Sequence, residues 1–152
     1  MNYDFYVKRF DELTVDELHD LLALRIDVFV VEQNCPYPEL DGKDKKAYHV
    51  IGTNAEGKVI ATARILPSGI SYDEVSIGRV ASDFSFRGKG LGHQLMTCSM
   101  EYIKSRLGDG PVRISAQEHL EDFYGKHHFV STGKKYLEDG IPHIEMITNN
   151  KL

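Results

Sequence analysis

The chain reads as an α/β domain, a mixed sheet with helices on its faces. Three observations predict it. Seven β-rich and three helix-like runs alternate in the order β-α-β-β-β-α-β-α-β-β. Two consecutive β-rich runs are joined by Asn54-Ala55-Glu56-Gly57, which reads as a hairpin. A corner with glycines at every second position, Gly88, Gly90 and Gly92, links a strand-like run to a helix-like one. The length, 152 residues, is that of one ordinary domain, taken here as residues 1–152, and suffices for a buried core.

Each element has a local reason. Residues 4–10 alternate and predict a first strand. Thr14 and Glu17, three apart, form a capping box that opens a helix. Leu18, Leu21, Leu22, Arg25, Val28 and Phe29 follow at helical spacing, so this helix is expected to run to about Val31. Residues 32–46 hold Pro36, Pro38, Gly42 and several charges, and predict an exposed connection. Residues 47–53 and 58–66 are the hairpin strands, and residues 75–81 make the strand that feeds the glycine corner. Leu91, Leu95, Met96, Ser99, Tyr102, Ile103 and Leu107 form the inner stripe of the next helix, ended by Gly108-Asp109-Gly110-Pro111. A short strand (112–116), a short helix (118–126) and two last strands (129–135 and 143–148) complete the order, with residues 137–142 as the final connection.

Composition bounds the function. The hydrophobic share is 41% and the charged share 27%, as in a soluble globular protein. No apolar run reaches the length of a membrane span, and residues 1–10 carry charges where a signal peptide would be apolar, so a cytoplasmic location is expected. Cys35 and Cys98 lack metal-ligand spacing and read as free thiols; no metal is expected. The net charge of -5 without a basic stripe argues against nucleic-acid binding. Acidic balance beside a phosphate site is a hint towards a cationic second ligand.

Arg87-Gly88-Lys89-Gly90-Leu91-Gly92 carries the most chemistry. Glycines at alternate positions leave the intervening N–H groups unobstructed. Opening a helix, they aim those donors and the positive end of the helix dipole at one point, which suits a phosphate or pyrophosphate. A Walker A loop needs Lys-Ser or Lys-Thr after its last glycine, but His93 follows Gly92. A dinucleotide fingerprint needs its third glycine one place later. The plainer reading is a corner that serves only the turn.

The loop, after a strand ending in Arg79-Val80-Ala81, resembles the acetyl-CoA loop of the Gcn5-related N-acetyltransferases, the GNAT superfamily. Phe123-Tyr124-Gly125-Lys126-His127-His128-Phe129 is similar to that family's Phe-Tyr-x-x-x-Gly-Phe stretch, with His128 where the pattern has glycine. Residues 25–44, Gly140-Ile141-Pro142-His143 and Glu145-Met146 look like the ElaA-like branch. The resemblance spans most of the chain. It implies a single domain with a mixed, mostly antiparallel central sheet and helices on both faces. It implies acetyl-CoA as co-substrate, with Gly88, Gly90, Gly92 and the N–H groups of Lys89, Leu91 and His93 on the pyrophosphate. Arg87 and Lys89 would add charge, the backbone of Val80 and Ala81 would pair with the pantetheine arm, and Gln117 would contact that arm. A strand splayed near Arg79 would leave an N–H to polarise the thioester carbonyl. Tyr124 would protonate the leaving sulfur; taken alone it reads as a half-buried aromatic.

The general base is open among Glu32, His49, His143 and Glu145, with Glu118 behind them. Glu32 and His143 are the leading candidates; His19 and His93 are expected to face solvent or the helix surface. Glu32, Glu39, Asp41 and Asp44 make a candidate wall for an ammonium group, or a solvated acidic loop. Arg25, on an otherwise apolar helix face, needs a partner, for which Glu32 or Asp41 is expected. The implied reaction is direct acetyl transfer to a primary amine, a small molecule or a peptide, by a monomer or homodimer. A non-catalytic acyl-CoA sensor is the alternative, and an acyl-homoserine-lactone-synthase-like reaction is a more distant one.

Overall fold

The structure, a computed structural model, describes residues 3–148. Strands β1 (Asp4–Arg9), β2 (Tyr48–Thr53), β3 (Val59–Leu66), β4 (Val75–Ser82), β5 (Val112–Gln117), β6 (Phe129–Glu138) and β7 (Ile141–Thr148) form one sheet. Their order is β1-β2-β3-β4-β5-β7-β6. Every neighbouring pair is antiparallel except β4 and β5. The expected mixed, mostly antiparallel sheet is thus present.

Helices α1 (Val15–Ile26) and α2 (Leu91–Arg106) cover opposite faces, and α3 (Glu121–Gly125) follows β5. The alternation of β2 sets this up. Val50 packs into the cluster that holds Leu91, Leu95, Met96 and Ile103 of α2. Its neighbour Ile51 packs on the other face with Leu21 and Leu24 of α1. Gly52 is required by packing: an added Cβ would lie 2.7 Å from the Phe5 ring on the adjacent strand.

The capping box forms as predicted. Thr14 Oγ1 accepts from the Glu17 amide at 3.0 Å, and Glu17 Oε1 accepts from the Thr14 amide at 2.9 Å. Glu17 also accepts from Tyr6 and Lys8, tying α1 to β1. Burial opposes its ionisation, but the Lys8 side chain, the Thr14 amide and Tyr6 outweigh that and hold it at about 2.

Three boundaries differ from expectation. The α-helix stops at Ile26, and Asp27–Glu32 continues with the wider π winding. One extra residue in the turn re-aims the side chains beyond it, which periodicity cannot foresee. The final connection shrinks to Asp139-Gly140, both at positive φ (+51° and +79°), so β6 runs on to Glu138 and β7 starts at Ile141. Asp-Gly at a two-residue hairpin is the residue pair that such a turn favours. The short helix of residues 118–126 divides into a 3-10 turn (Glu118–Leu120) and α3.

Candidate functional site

β4 and β5 pair only at Val75–Val112 and Ser76–Arg113, then part. A cleft of about 800 Å³ opens between them, walled by Gly78 to Ala81 on β4 and by Ile114, Ser115 and Gln117 on β5. Past Ser76, the β5-facing backbone groups of β4 border this cleft instead of a ladder. A bulge adds to the bend. Thr62 opposes Ala81 and Arg64 opposes Gly78, so Arg79 and Val80 together face Ala63. Arg79 takes φ +52°, a left-handed backbone uncommon outside glycine.

The glycine loop opens α2 beside this cleft. Gly88 and Gly90 adopt φ +82° and +77°, with open space around them, so conformation is what they supply. The first helical bond runs from the Gln94 amide to the Gly90 carbonyl, which leaves the amides of Leu91, Gly92 and His93 as the open first turn. Gly92 has a second role: an added Cβ would lie 3.2 Å from the Phe123 ring, so its absence seats α3 against α2.

Of the residues singled out in the sequence, Val80, Ala81, Arg87, Gly92, Gln117, Tyr124, Glu32 and His143 line this one cleft. Gly88, Lys89 and Gly90 are exposed between the lining residues Arg87 and Gly92. Lys89 Nζ rests 5.6 Å over the Phe86 ring. Leu91 is buried in the core. His93, expected to face solvent or the helix surface, sits between α2 and the α3 region. It is half-buried, its Nδ1 is 2.9 Å from His127 Nε2, and its ring centroid is 4.8 Å from that of Phe123. Burial, with His93 and His128 alongside, lowers the pKa of His127.

Tyr124 is 7% exposed and packs edge-on against Phe123 and Phe129. Burial pushes its phenol up to about 12, so it is protonated at neutral pH and able to donate. His128 adopts φ +72°, so it takes up the left-handed conformation that glycine would supply there. Gln117 Nε2 donates to Gln33 Oε1 at 3.3 Å, linking the end of β5 to the segment after α1.

The acidic residues are not a free wall. Arg25 is 1% exposed, and its partners are Glu39 (Nη2–Oε2 2.5 Å) and Asp44 (Nη1–Oδ1 2.8 Å), not Glu32 or Asp41. Asp41 pairs with Arg64 through two bonds of 2.8 and 2.9 Å. Arg79 bonds Glu39 and stacks over Tyr37, whose hydroxyl also donates to Glu39. Three guanidinium groups thus match three carboxylates. Asp44 is 6% and Glu39 4% exposed within this lattice, so the attraction of an ammonium group by these carboxylates is largely cancelled. His49, one of the base candidates, is 1% exposed beneath this lattice, its Nε2–H donating to the Asp44 carbonyl. Glu32 is held by Arg87, and Glu145 by Arg113 and Thr132.

His143 differs. It is 7% exposed and lines the cleft. Its Nδ1 lies 2.7 Å from the Ile141 carbonyl, and a carbonyl only accepts, so Nδ1 carries a proton and Nε2 is the basic nitrogen of the neutral ring. Tyr136, its cross-strand partner, stacks on it at 20° between planes. Tyr136 donates to Ser115 and is hydrogen-bonded to Tyr72. Tyr72, Ser115 and Tyr136 were not singled out in the sequence. The signal lay in pairing: Tyr136 meets His143 only once the Asp139-Gly140 turn fixes the register. Among the described residues no group of three or more His, Cys, Asp or Glu is placed to hold a metal ion, and no helix is long and apolar enough to cross a membrane.

In sequence and fold the chain is similar to known proteins. Residues 20–149 match the model of the acetyltransferase (GNAT) domain. Protein ElaA of Escherichia coli K12 is 44% identical over 137 residues, covering 89% of each chain. Its crystal structure superposes with a TM-score of 0.91, over 97% of this chain and 100% of that one. A UPF0039 protein of Schizosaccharomyces pombe is 42% identical over 146 residues, 95% of this chain and 96% of its own. The crystal structure of an acyl-CoA N-acyltransferase from Pseudomonas aeruginosa matches with a TM-score of 0.92 at 43% identity, over 97% and 100% of the two chains. Splayed strands, glycine corner and family model agree: the chain belongs to the acetyltransferase (GNAT) domain family, a family of acyl-CoA-dependent acyltransferases, in its ElaA-like branch.

Proposed function

We propose that the chain transfers the acetyl group of acetyl-CoA to a primary amine by direct attack in a ternary complex. The observation that carries this reading is the parting of β4 from β5 with the open amides of α2 at one end and Tyr124 within. An extended pantetheine arm added beside Val80 and Ala81 would continue the sheet. Its pyrophosphate would then reach the N–H groups of Leu91, Gly92 and His93, with Gly88 and Gly90 shaping the approach and Arg87 and Lys89 adding charge. The thioester carbonyl would meet the backbone of the Arg79 bulge.

Two proton transfers set the demands. A thiol of pKa about 8.5 leaves as thiolate at pH 7 for a cost of only ~2 kcal/mol. An alkylammonium of pKa about 10.4 costs ~4.6 kcal/mol to deprotonate at the same pH. The base is the larger requirement, and His143 Nε2 fits it. Glu32 fits it less, because Arg87 holds both of its oxygens. Full proton transfer from a phenol at about 12 to the thiolate would be uphill by about 5 kcal/mol, so Tyr124 acts as a hydrogen-bond donor to the sulfur.

The test is thiol release from acetyl-CoA against a panel of diamines, amino sugars, amino acids and lysine-bearing peptides. Amine-dependent release with a matching N-acetyl product supports the transferase. Binding of acetyl-CoA without turnover on any amine would make the chain a sensor module and sink the reading.

A further inference from the structure

An amine that enters as an ammonium ion carries three N–H bonds and leaves as an amide with one. Of the two protons lost, one ends on the CoA sulfur and the other has to reach water. We propose that Glu138 is the outlet for that second proton, taking it from His143 Nε2 and passing it to solvent. The proposal rests on the reading of His143 as the base.

The geometry is a buried base joined to an exposed acid. His143 Nε2 lies 3.3 Å from Glu138 Oε2, and the two side chains are 9% and 54% exposed. Since Nδ1 is committed to the Ile141 carbonyl, Nε2 is the ring atom through which a proton can enter and leave. The stacked Tyr136 holds the ring plane, and the two-residue Asp139-Gly140 turn fixes Glu138 three residues before Ile141. When the ring is neutral, its lone pair faces a carboxylate and the two repel; the exposed Glu138 is free to swing into water. When the ring is protonated, it donates to Ile141 and Glu138 together. The pair therefore alternates with the state of the base.

The surroundings single out Glu138. It is the carboxylate that ion-pairs with His143 among the described residues. On β7, Glu145 is held by Arg113 at 2.9 Å. On the turn after β5, Glu118 pairs with Lys135 at 3.7 Å. From β6 the facing group is the Tyr136 ring, and from β5 the cross-strand neighbour is the neutral Gln117. Asp139 caps the hairpin, its carbonyl accepting from Cys35 Sγ. The steps balance. The ammonium N–H breaks, its pair stays on nitrogen and its proton moves to Nε2. The amine attacks the carbonyl carbon, the C–S pair leaves with sulfur, and the second N–H breaks, its pair staying on nitrogen and its proton passing to that sulfur. The Nε2 proton then passes to Glu138 and on to water, which restores the neutral ring.

The experiment uses the intact chain with an amine from the panel above. Glu138→Gln, Glu138→Asp and His143→Gln are compared at low buffer and with added formate or imidazole. Glu138→Gln is expected to lower kcat about 10-fold at low buffer with the KM for acetyl-CoA within about twofold. Added formate or imidazole should restore the rate saturably while leaving the wild type unchanged, and Glu138→Asp should keep most of it. A purely structural role for Glu138 predicts no buffer rescue. If Glu138→Gln turns over within twofold of wild type at low buffer while His143→Gln is slow, the outlet is wrong and the base stands. If His143→Gln is itself undiminished, the base reading fails and the outlet with it.

Discussion

Arg87 and Glu32 face each other as a two-pronged ion pair, Nη1 to Oε2 at 2.5 Å and Nη2 to Oε1 at 2.9 Å. The same guanidinium donates to the Ser82 carbonyl. The first residue of the glycine loop is thereby tied both to the end of β4 and to the π turn after α1. A phosphate arriving at the loop would compete with Glu32 for this cation.

The first prediction follows. Arg87→Ala should raise the KM for acetyl-CoA about 10-fold, the worth of one charge-assisted hydrogen bond of about 1.5 kcal/mol. Glu32→Gln releases the guanidinium, so it should leave that KM equal or lower. It should also leave kcat within about twofold, because the proposed base is His143. Both side chains are about a third exposed, and the pair adds little to stability. Steady-state kinetics on both variants decides it; a large kcat loss in Glu32→Gln would restore Glu32 as the base.

The second concerns the lattice under the cleft. Arg25→Met removes the guanidinium shared by Glu39 and Asp44 and leaves them to Arg79 and Arg64 alone in a buried site, a change that costs about 3 kcal/mol. Urea denaturation should show it as a large fall in midpoint. Stability should also fall with pH in two steps. Burial lowers the pKa of His49, so the unfolded chain binds that proton first and stability drops as pH falls below about 6.5. Burial resists ionisation of Asp41 and Asp44, but bonds from Arg64 and Arg25 prevail and hold both low, Asp41 at about 2. Their contribution is present above about pH 4, the unfolded value, and is lost as pH drops towards 2. His49→Asn should shrink the upper step, to which His127 also contributes, and leave the lower one.

Much of this was legible in the chain, for reasons that particular residues make plain. Thr14 and Glu17 cap a helix through contacts three residues apart, and local contacts can be read locally. The glycine corner is legible because φ near +80° restricts the residue type. Arg25 was recognisable as a buried cation, but its partners were not, since the fold of residues 33–46 decides whether Glu39, Asp41 or Asp44 arrives. The resemblance placed a splayed strand near Arg79, but the bulge there and its φ of +52° could not be read from the residues: they follow from how two strands register, and arginine carries no signal for that backbone. His143 with Glu138 and Tyr136 belongs to the same class, made by a hairpin register that one turn sets.

Tyr124→Phe keeps the ring that packs against Phe123 and Phe129 and removes only the hydroxyl. Acetyl transfer should slow about 10-fold, the value of one hydrogen bond to a developing thiolate. Because burial holds the phenol at about 12, the acid limb of the pH–rate profile should be the same in both proteins. His143→Gln should cost more, since it removes the proposed base. An equal rate in Tyr124→Phe and wild type would remove Tyr124 from the chemistry.

Gly78 separates the fold from the groove. It sits in β4 opposite Arg64, just past the last residues that pair with β5, and lines the cleft. An added Cβ meets nothing within 4 Å, and the residue has no positive φ, so neither sterics nor backbone demands glycine. A β-branched residue suits a strand, and Gly78→Val should leave the thermal midpoint unchanged or slightly raised. The same side chain would stand beside the path proposed for the pantetheine arm. The expected result is a stable protein whose KM for acetyl-CoA rises about 10-fold or more, a loss of at least ~1.4 kcal/mol of binding. Calorimetry with CoA and a thermal melt on one sample measure both. Unchanged affinity in a stable Gly78→Val protein would place the arm elsewhere than along β4.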